Sequence, residues 1–333
     1  MNAVVDALRA AGRIALVSHR DPDPDTIGSS LALGLALERM GKRVSWHCAD
    51  PVPEAIRFLA SADRVSQAPP PSDVDLIVCL DFGEPERAKF ALPAGPKIAD
   101  IDHHATNTAF GDANFVDVTS AATGEMVGRV IDALGVGWTP DMATAALIAI
   151  MTDTGSFQFP NTDKRALERA AMLRDAGADL QSITYNVFRN KRFEALKLWG
   201  FAFSRLVRES DGLLVWTWIE NDDLAHAGAL EEDLSGLVEQ IARSKGMRVA
   251  LLFSGTTGPV KVSCRTSHRP RPSTRRRSWR ASVAADTFAR PARSFRAPTT
   301  PRSASACSPR RARRSTALDS PHDPDPVRGP ADR

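Results

Sequence analysis

The sequence predicts an α/β protein: a doubly wound, mainly parallel sheet, a linker helix, and a smaller, incomplete α+β domain toward the C-terminus. Three observations carry this. From Arg13 to about Asp153, short apolar runs alternate with segments of helical period, the pattern of a parallel sheet fed by crossovers. Several of those runs end on carboxylates or imidazoles, and ligands in open α/β sheets bind beyond the carboxyl ends of the strands. After the long segment that closes near Glu209, strand and helix patterns resume, then stop near Arg265.

Taken in order, Arg13-Ile14-Ala15-Leu16-Val17 reads as a buried strand. Thr26 is the expected cap of a helix from Ile27 to Met40, with Leu31, Ala32 and Leu35 facing inward. Val44 to Cys48, Asp75 to Leu80, Lys97 to Ile101 and Ala113 to Asp117 read as further strands. Helices are expected at about 121–134, 139–151 and 163–176, the last stopped by Gly177. Phe193 to Glu209 predicts a long amphipathic helix joining two domains. Beyond it come a strand at Gly212 to Ile219, a helix at about 231–244, and strands at Arg248 to Phe253 and Val260 to Cys264. The division that follows is a catalytic domain over 1–190, a linker helix over 191–210, a truncated second domain over 211–267 and a tail over 268–333.

Composition sets the outer limits. A chain of 333 residues has room for two cores. No apolar run nears the roughly 20 residues that span a bilayer, and Met1 to Leu8 lacks the basic-then-apolar pattern of a signal peptide. Cys48, Cys79, Cys264 and Cys307 are scattered and read as reduced thiols of a cytoplasmic protein. The net charge of +3 conceals a chain of two compositions. Residues 265–333 carry 17 Arg, no Lys, five Asp and no Glu, leaving the preceding 264 residues at −9. With one Leu, two Val, no Ile and no Met, that tail is expected to be disordered.

The chemistry concentrates at the segment ends. His19, Asp23 and Asp25 fall within seven residues stiffened by Pro22 and Pro24. In an extended loop Asp23 and Asp25 point the same way. Asp81, His103 and Asp153 follow three further apolar segments. Hard carboxylates supplemented by imidazole suit manganese or magnesium. Six such ligands suffice for two ions roughly 3.5–4 Å apart, which activate water and clamp a phosphoryl group for in-line attack. An isolated Asp after a strand is more often a cap; four matched segments in order favour a metal site.

The order His19-x3-Asp23-x-Asp25-x-Ile27-Gly28-Ser29, then Asp81 with Arg87, then Asp102-His103-His104-x2-Asn107, then Thr152-Asp153-Thr154-Gly155 resembles the DHH phosphoesterase superfamily. Within it, the chain is most similar to the small bacterial oligoribonucleases, or nanoRNases, that also remove the 3′-phosphate of adenosine 3′,5′-bisphosphate. The resemblance spans about residues 5–267, with one departure: the usual Pro-Asp-Gly-Asp-Ala is Pro22-Asp23-Pro24-Asp25-Thr26. It implies one manganese on His19, Asp23, Asp81 and Asp153, and a second on Asp25, Asp81, His103 and Asp153. It implies His104 facing the scissile phosphate, as electrostatic stabiliser or proton donor. Asp102 is expected to orient a histidine. Arg87 is either a phosphate contact or a solvated charge beside Glu84 and Glu86. Ser263 and Arg265, in Lys261-Val262-Ser263-Cys264-Arg265-Thr266-Ser267, resemble the family's nucleotide-gripping element.

The family's glycine-rich loop with its histidine is missing from this frame. If Ser282, Val283, Ala284 and Ala285 end in G and Asp286 in C, reading from each third base gives Gly-Gly-Gly-Gly-His. The tail then reads as an out-of-frame translation, against the alternative of a basic RNA-binding extension. The resulting expectation is a metal-dependent phosphodiesterase and phosphatase acting on short RNA or adenosine 3′,5′-bisphosphate by two-metal activated water. Its partners are that nucleotide substrate and no membrane, with a homodimer left open. The alternatives are a cyclic dinucleotide phosphodiesterase or a catalytically impaired nucleotide- or RNA-binding regulator.

Overall fold

The computed structural model describes residues 1–255 and 260–266; the basic tail, with the stretch expected to be out of frame, lies outside the described residues. Helix α1 (Asn2–Ala10) precedes β1 (Arg13–Ser18), α2 (Pro24–Arg39), β2 (Arg43–His47), β3 (Val65–Ser66), β4 (Leu76–Leu80), β5 (Lys97–Asp102) and β6 (Ala113–Val116). The six strands form one parallel sheet in the order β3-β2-β1-β4-β5-β6. The order reverses between β1 and β4, so the chain leaves these two strands in opposite directions and a crevice opens at their ends. Ser18 pairs with Leu80 and Leu80 with Ile101. His19, Asp81 and Asp102 therefore emerge at one level.

Strand side chains alternate between two cores. Ile14, Leu16, Leu76, Val78 and Leu80 pack among the helices. Ala15, Val17, Ile77 and Cys79 face the other way, where Phe82, Ala88 and Phe90 cover them without a long helix. The helical layer continues with α3 (Thr123–Leu134), α4 (Pro140–Asp153), α5 (Lys164–Asp175) and α6 (Leu180–Ile183), then a π-helical turn (Thr184–Arg189). Helix α4 is buried without a break from Met142 to Met151, as a helix apolar on all sides must be. It runs through Asp153, two residues beyond the expected end, and so carries that carboxylate on helical backbone.

Three sequence expectations are corrected. The second helix starts at Pro24, capped by Asp23 and not by Thr26: Asp23 Oδ1 accepts from the amides of Asp25 (3.0 Å) and Thr26 (3.1 Å). Proline's fixed φ suits the first helical position, so Asp25 sits in a helical first turn rather than on an extended loop beside Asp23. The linker helix α7 (Phe193–Ser204) ends five residues early, because Val207–Glu209 forms β7 against β8 (Leu214–Ile219). The helix expected at 231–244 splits into a 3-10 turn (Glu231–Leu234) and a short helix (Leu237–Ile241), since Gly236 between them has φ 89°.

Between β8 and that short helix lies α8 (Asn221–Ala227), which makes Leu237–Ile241 α9; β9 (Val249–Ser254) and β10 (Lys261–Thr266) complete a second sheet, ordered β10-β9-β8-β7. Its core joins Leu198, Trp199, Val215, Ile219, Leu237 and Leu252. Strand β10 pairs only with β9 among the described residues, and Val262 on it is 42% exposed.

Candidate metal centre

Each donor at the crevice is held by backbone the sequence dictates. His19 follows β1 directly, and its Nδ1 lies 2.7 Å from the Arg20 carbonyl oxygen. His103 follows β5, with Nδ1 3.2 Å from the Ser120 carbonyl oxygen. A carbonyl can only accept, so each Nδ1 carries the proton and each Nε2 is left to face the cluster. Asp81 turns out of β4 with φ 70°, a left-handed conformation that Asp tolerates better than most residues. Its Oδ2 lies 3.5 Å from His19 Nε2, and its Oδ1 lies 3.6 Å from His103 Nε2. Asp153 Oδ2 lies 3.2 Å from His103 Nε2, and Asp25 Oδ2 lies 3.9 Å from it.

Donor atoms gather in three sets, the members of each within 4.8 Å of one another: His19 with Asp23 and Asp81, Asp25 with His103 and Asp153, and Asp81 with His103 and His104. All six ligand residues expected from the sequence thus meet at one place, with Asp81 and His103 each shared between two sets. Burial and the neighbouring Asp153 push Asp25 well above the usual carboxylate range; burial and Asp25 do the same to Asp81. Burial disfavours charge on His103, yet Asp153 and Asp25 raise it to about 9. No Lys or Arg pairs with Asp23, Asp25, Asp81 or Asp153 among the described residues. Anionic oxygens packed this way lack positive charge, and a divalent cation fits both the deficit and the donor set.

His104 is placed differently. Its Nδ1 lies 2.7 Å from Asp102 Oδ1, which also accepts the His104 amide at 3.2 Å. Asp102 is fully buried, while half of the His104 side chain is exposed beside the cluster. Asn107 donates to Asp102 Oδ2 at 2.7 Å. The turn carrying these groups lies against Gly83, where an added Cβ would come within 2.5 Å of Asn107 Cα. Arg87 is not drawn into the cluster. Its side chain is exposed, and its hydrogen bonds among the described residues are backbone ones: its amide donates to the Glu84 carbonyl at 3.0 Å and its carbonyl accepts the Arg20 amide at 2.7 Å. Ser263 and Arg265 stand on the edge strand β10, where Arg265 pairs with Glu239 Oε1 at 2.5 Å.

Thr123 and Ser29 were not anticipated from sequence. The Thr123 hydroxyl donates to Asp81 Oδ1 (2.9 Å) and its amide to Asp25 Oδ2 (2.8 Å); Gly124 N and Ser29 Oγ complete the shell of Asp25. Helix α3 has Ala122 at its N-cap and no side-chain cap of its own. That absence was the available signal: Asp25, about a hundred residues upstream, supplies the missing acceptor.

Comparison with known proteins gives the family and the fold. The DHH family, N-terminal domain, matches residues 13–150. The chain is 39% identical over 272 residues to the bifunctional oligoribonuclease and PAP phosphatase NrnA of Thermus thermophilus, covering 80% of each chain. It is 28% identical to the Bacillus subtilis protein of the same name, over 76% of this chain and 81% of that one. Among solved structures, an exopolyphosphatase-related protein from Bacteroides fragilis superposes with a TM-score of 0.74 at 22% identity, over 80% of this chain and 84% of that one. This last likeness concerns the fold.

Proposed function

The chain belongs to the DHH family, and from that premise we propose that it hydrolyses short oligoribonucleotides and the 3′-phosphate of adenosine 3′,5′-bisphosphate, using two manganese ions. It is a metal-dependent phosphoesterase; the substrates are those named for its Thermus and Bacillus relatives. The observation that carries the reading is the convergence of Asp25, Asp81, Asp153, His19 and His103 at the sheet's switch point. In this reading His19, Asp23, Asp81 and Asp153 hold one ion, and Asp25, Asp81, His103 and Asp153 hold the other. Bound there, the ions supply an acidified water as nucleophile and neutralise charge on the phosphoryl group.

The remaining steps belong to the chain. His104 directs its Nδ1 to Asp102 Oδ1, which orients the ring and leaves Nε2 to face the phosphoryl or leaving oxygen, as electrostatic stabiliser or proton donor. Thr123 holds the Asp81 and Asp25 carboxylates apart by bonding one through its hydroxyl and the other through its amide. Ser263 and Arg265 are our candidates for the far end of the nucleotide, and release of Arg265 from Glu239 is then part of binding. Arg87, free of side-chain partners, is available to a second phosphate. Cys48 and Cys79 are buried free thiols, which suits a reducing cytoplasm, and no helix of the described residues is long and apolar enough to cross a membrane.

The test is to incubate the protein with manganese and, separately, an end-labelled RNA dinucleotide, a long RNA and adenosine 3′,5′-bisphosphate. Release of mononucleotides from the dinucleotide, lost in Asp81→Ala, is expected. Retained binding without turnover of any substrate would point instead to a regulator.

A further inference from the structure

We propose that Asp100 is a positioning residue for His104: it holds Asn107, Asn107 holds Asp102, and Asp102 sets the tautomer and direction of the imidazole. The inference rests on the proposed role of His104, and deepens it by naming what makes that role rigid.

The two amide hydrogens of Asn107 are divided between two carboxylates, Asp100 Oδ2 at 2.8 Å and Asp102 Oδ2 at 2.7 Å. Its side-chain oxygen accepts the Ala109 amide at 2.6 Å. Both Asn107 donors are thus used, and its amide plane is fixed at three points. Asp102 in turn spends Oδ2 on Asn107 and Oδ1 on the His104 ring and amide. Without Asn107, the carboxylate would be free to turn about its own axis, and the imidazole with it. Asp100 is the far anchor of this chain.

Asp100 is an unusual residue to find there. It lies inside β5 with no exposed surface, and its Oδ1 has no hydrogen-bond partner among the described residues. The groups facing it are Asn107, Asp102 on its own strand, Cys79 of β4 beside it in register and Asn114 of β6; none is a cation. An ionised carboxylate with an orphaned oxygen is costly in such a place, and a neutral one is not. Burial drives the Asp100 carboxyl up to about 7, with Asn107 opposing and Asp102 adding. Two carboxylates are thus bridged by one amide. Asp102 uses both oxygens, on the His104 ring and amide and on Asn107. Asp100 accepts through one oxygen only, a task that an asparagine carbonyl would also perform.

The experiment compares Asp100→Asn, Asp100→Leu, Asn107→Ala and the Asp100→Leu/Asn107→Ala double variant. One readout is steady-state hydrolysis of an RNA dinucleotide with manganese. The other is the downfield Nδ1–H proton resonance of His104 in the metal-free protein, assigned by its loss in His104→Gln. Asp100→Asn is expected to retain both kcat and the resonance. Asp100→Leu and Asn107→Ala are each expected to lower kcat by about 10–100-fold, with KM and manganese affinity unchanged, and to lose the resonance. The double variant is expected to be no worse than Asn107→Ala, since both act through one path. Wild-type kcat and an intact resonance in Asp100→Leu would overturn the proposal, as would Asn damaging as much as Leu, or losses that multiply in the double variant. If the unmodified protein cleaves none of the substrates, the functional reading fails, and the resonance still decides whether Asp100 positions His104.

Discussion

Gly28→Ala probes how helix packing holds the metal centre. Gly28 lies on α2, and a Cβ added there would meet the Ala145 carbonyl oxygen of α4 at 2.4 Å, Ile148 Cγ2 at 3.0 Å and Ala149 Cβ at 3.3 Å. Ordinary contact begins near 3.4 Å, and a carbonyl in the middle of a helix cannot swing aside, so α2 and α4 must part by about 1 Å in a close-packed interior. Overpacking of this kind costs ~1–3 kcal/mol, and contact with rigid backbone places it near the upper end. Replacing a helical glycine by alanine returns about 1 kcal/mol. The net loss is about 2 kcal/mol, or a Tm lower by roughly 4–8 °C for a domain of this size. The same parting separates Asp25 on α2 from Asp153 on α4, which now face one His103 Nε2 at 3.9 and 3.2 Å. Displacement by 1 Å is on the scale that costs about 10²-fold in rate. Thermal melting in EDTA and a calorimetric manganese titration separate the two effects. An unchanged manganese midpoint at a lowered Tm would refute the claim that α2–α4 contact sets the donor geometry; an unchanged Tm would refute the packing argument itself.

Other expectations follow from the electrostatics and from the composition of the tail. Burial and mutual repulsion raise Asp25 and Asp81 above 3.8, so the stability they contribute is present below that pH and is lost as pH rises through their raised folded values. Burial opposes charge on His103, but the carboxylates raise it to about 9, so its contribution is full below pH 6.5 and is lost as pH climbs through 9. Metal-free protein should accordingly melt lower at pH 9 than at pH 6, and saturating manganese should flatten that slope; a flat metal-free profile would contradict the cluster. Thr123→Val removes the hydroxyl on Asp81 Oδ1 while keeping the amide on Asp25. Manganese affinity should fall about 10-fold or more without loss of fold, as read by calorimetry and circular dichroism. Sequencing the gene across codons 264–320 should reveal a second frame encoding a glycine-rich loop with a histidine, and its absence in every frame would remove the frame-shift explanation of the tail.

The residues that converge at the crevice were legible in the sequence because the chemistry restricts their type: His19, Asp81, His103 and Asp153, all able to hold a metal, stand just beyond apolar segments in that order. The parallel sheet was legible for a related reason, since buried strands such as Leu76 to Leu80 tolerate no polar interruption. What escaped depends on geometry that no local pattern carries. The spacing of Asp23 and Asp25 is compatible with an extended loop and with a helical first turn, and the cap bonds from Asp25 N and Thr26 N decide for the helix. The linker helix was overestimated because Phe193 to Glu209 keeps a helical pattern past Ser204; pairing of Val207 with Trp216 and Glu209 with Leu214 outweighs it.

The deeper omission concerns the residues that hold the ligands. Asn107 stood in the Asp102-His103-His104-x2-Asn107 pattern without a role, while Thr123 and Asp100 are ordinary polar residues near a helix start and in a strand; each acquires its role only when another segment arrives: Asp25 at the bare end of α3, Gly83 under the 104–107 turn, Asp102 across the Asn107 amide. One feature was nevertheless written in the chain. Asp100 interrupts the apolar middle of β5, Ile98-Ala99-Asp100-Ile101, and a carboxylate inside a central parallel strand needs either a partner or a proton. Among the described residues one partner meets one oxygen and none meets the other. Burial answers by raising the carboxyl to about 7, toward the protonated form. This is why replacing Asp100 by asparagine, and not by leucine, should leave His104 where Asp102 holds it.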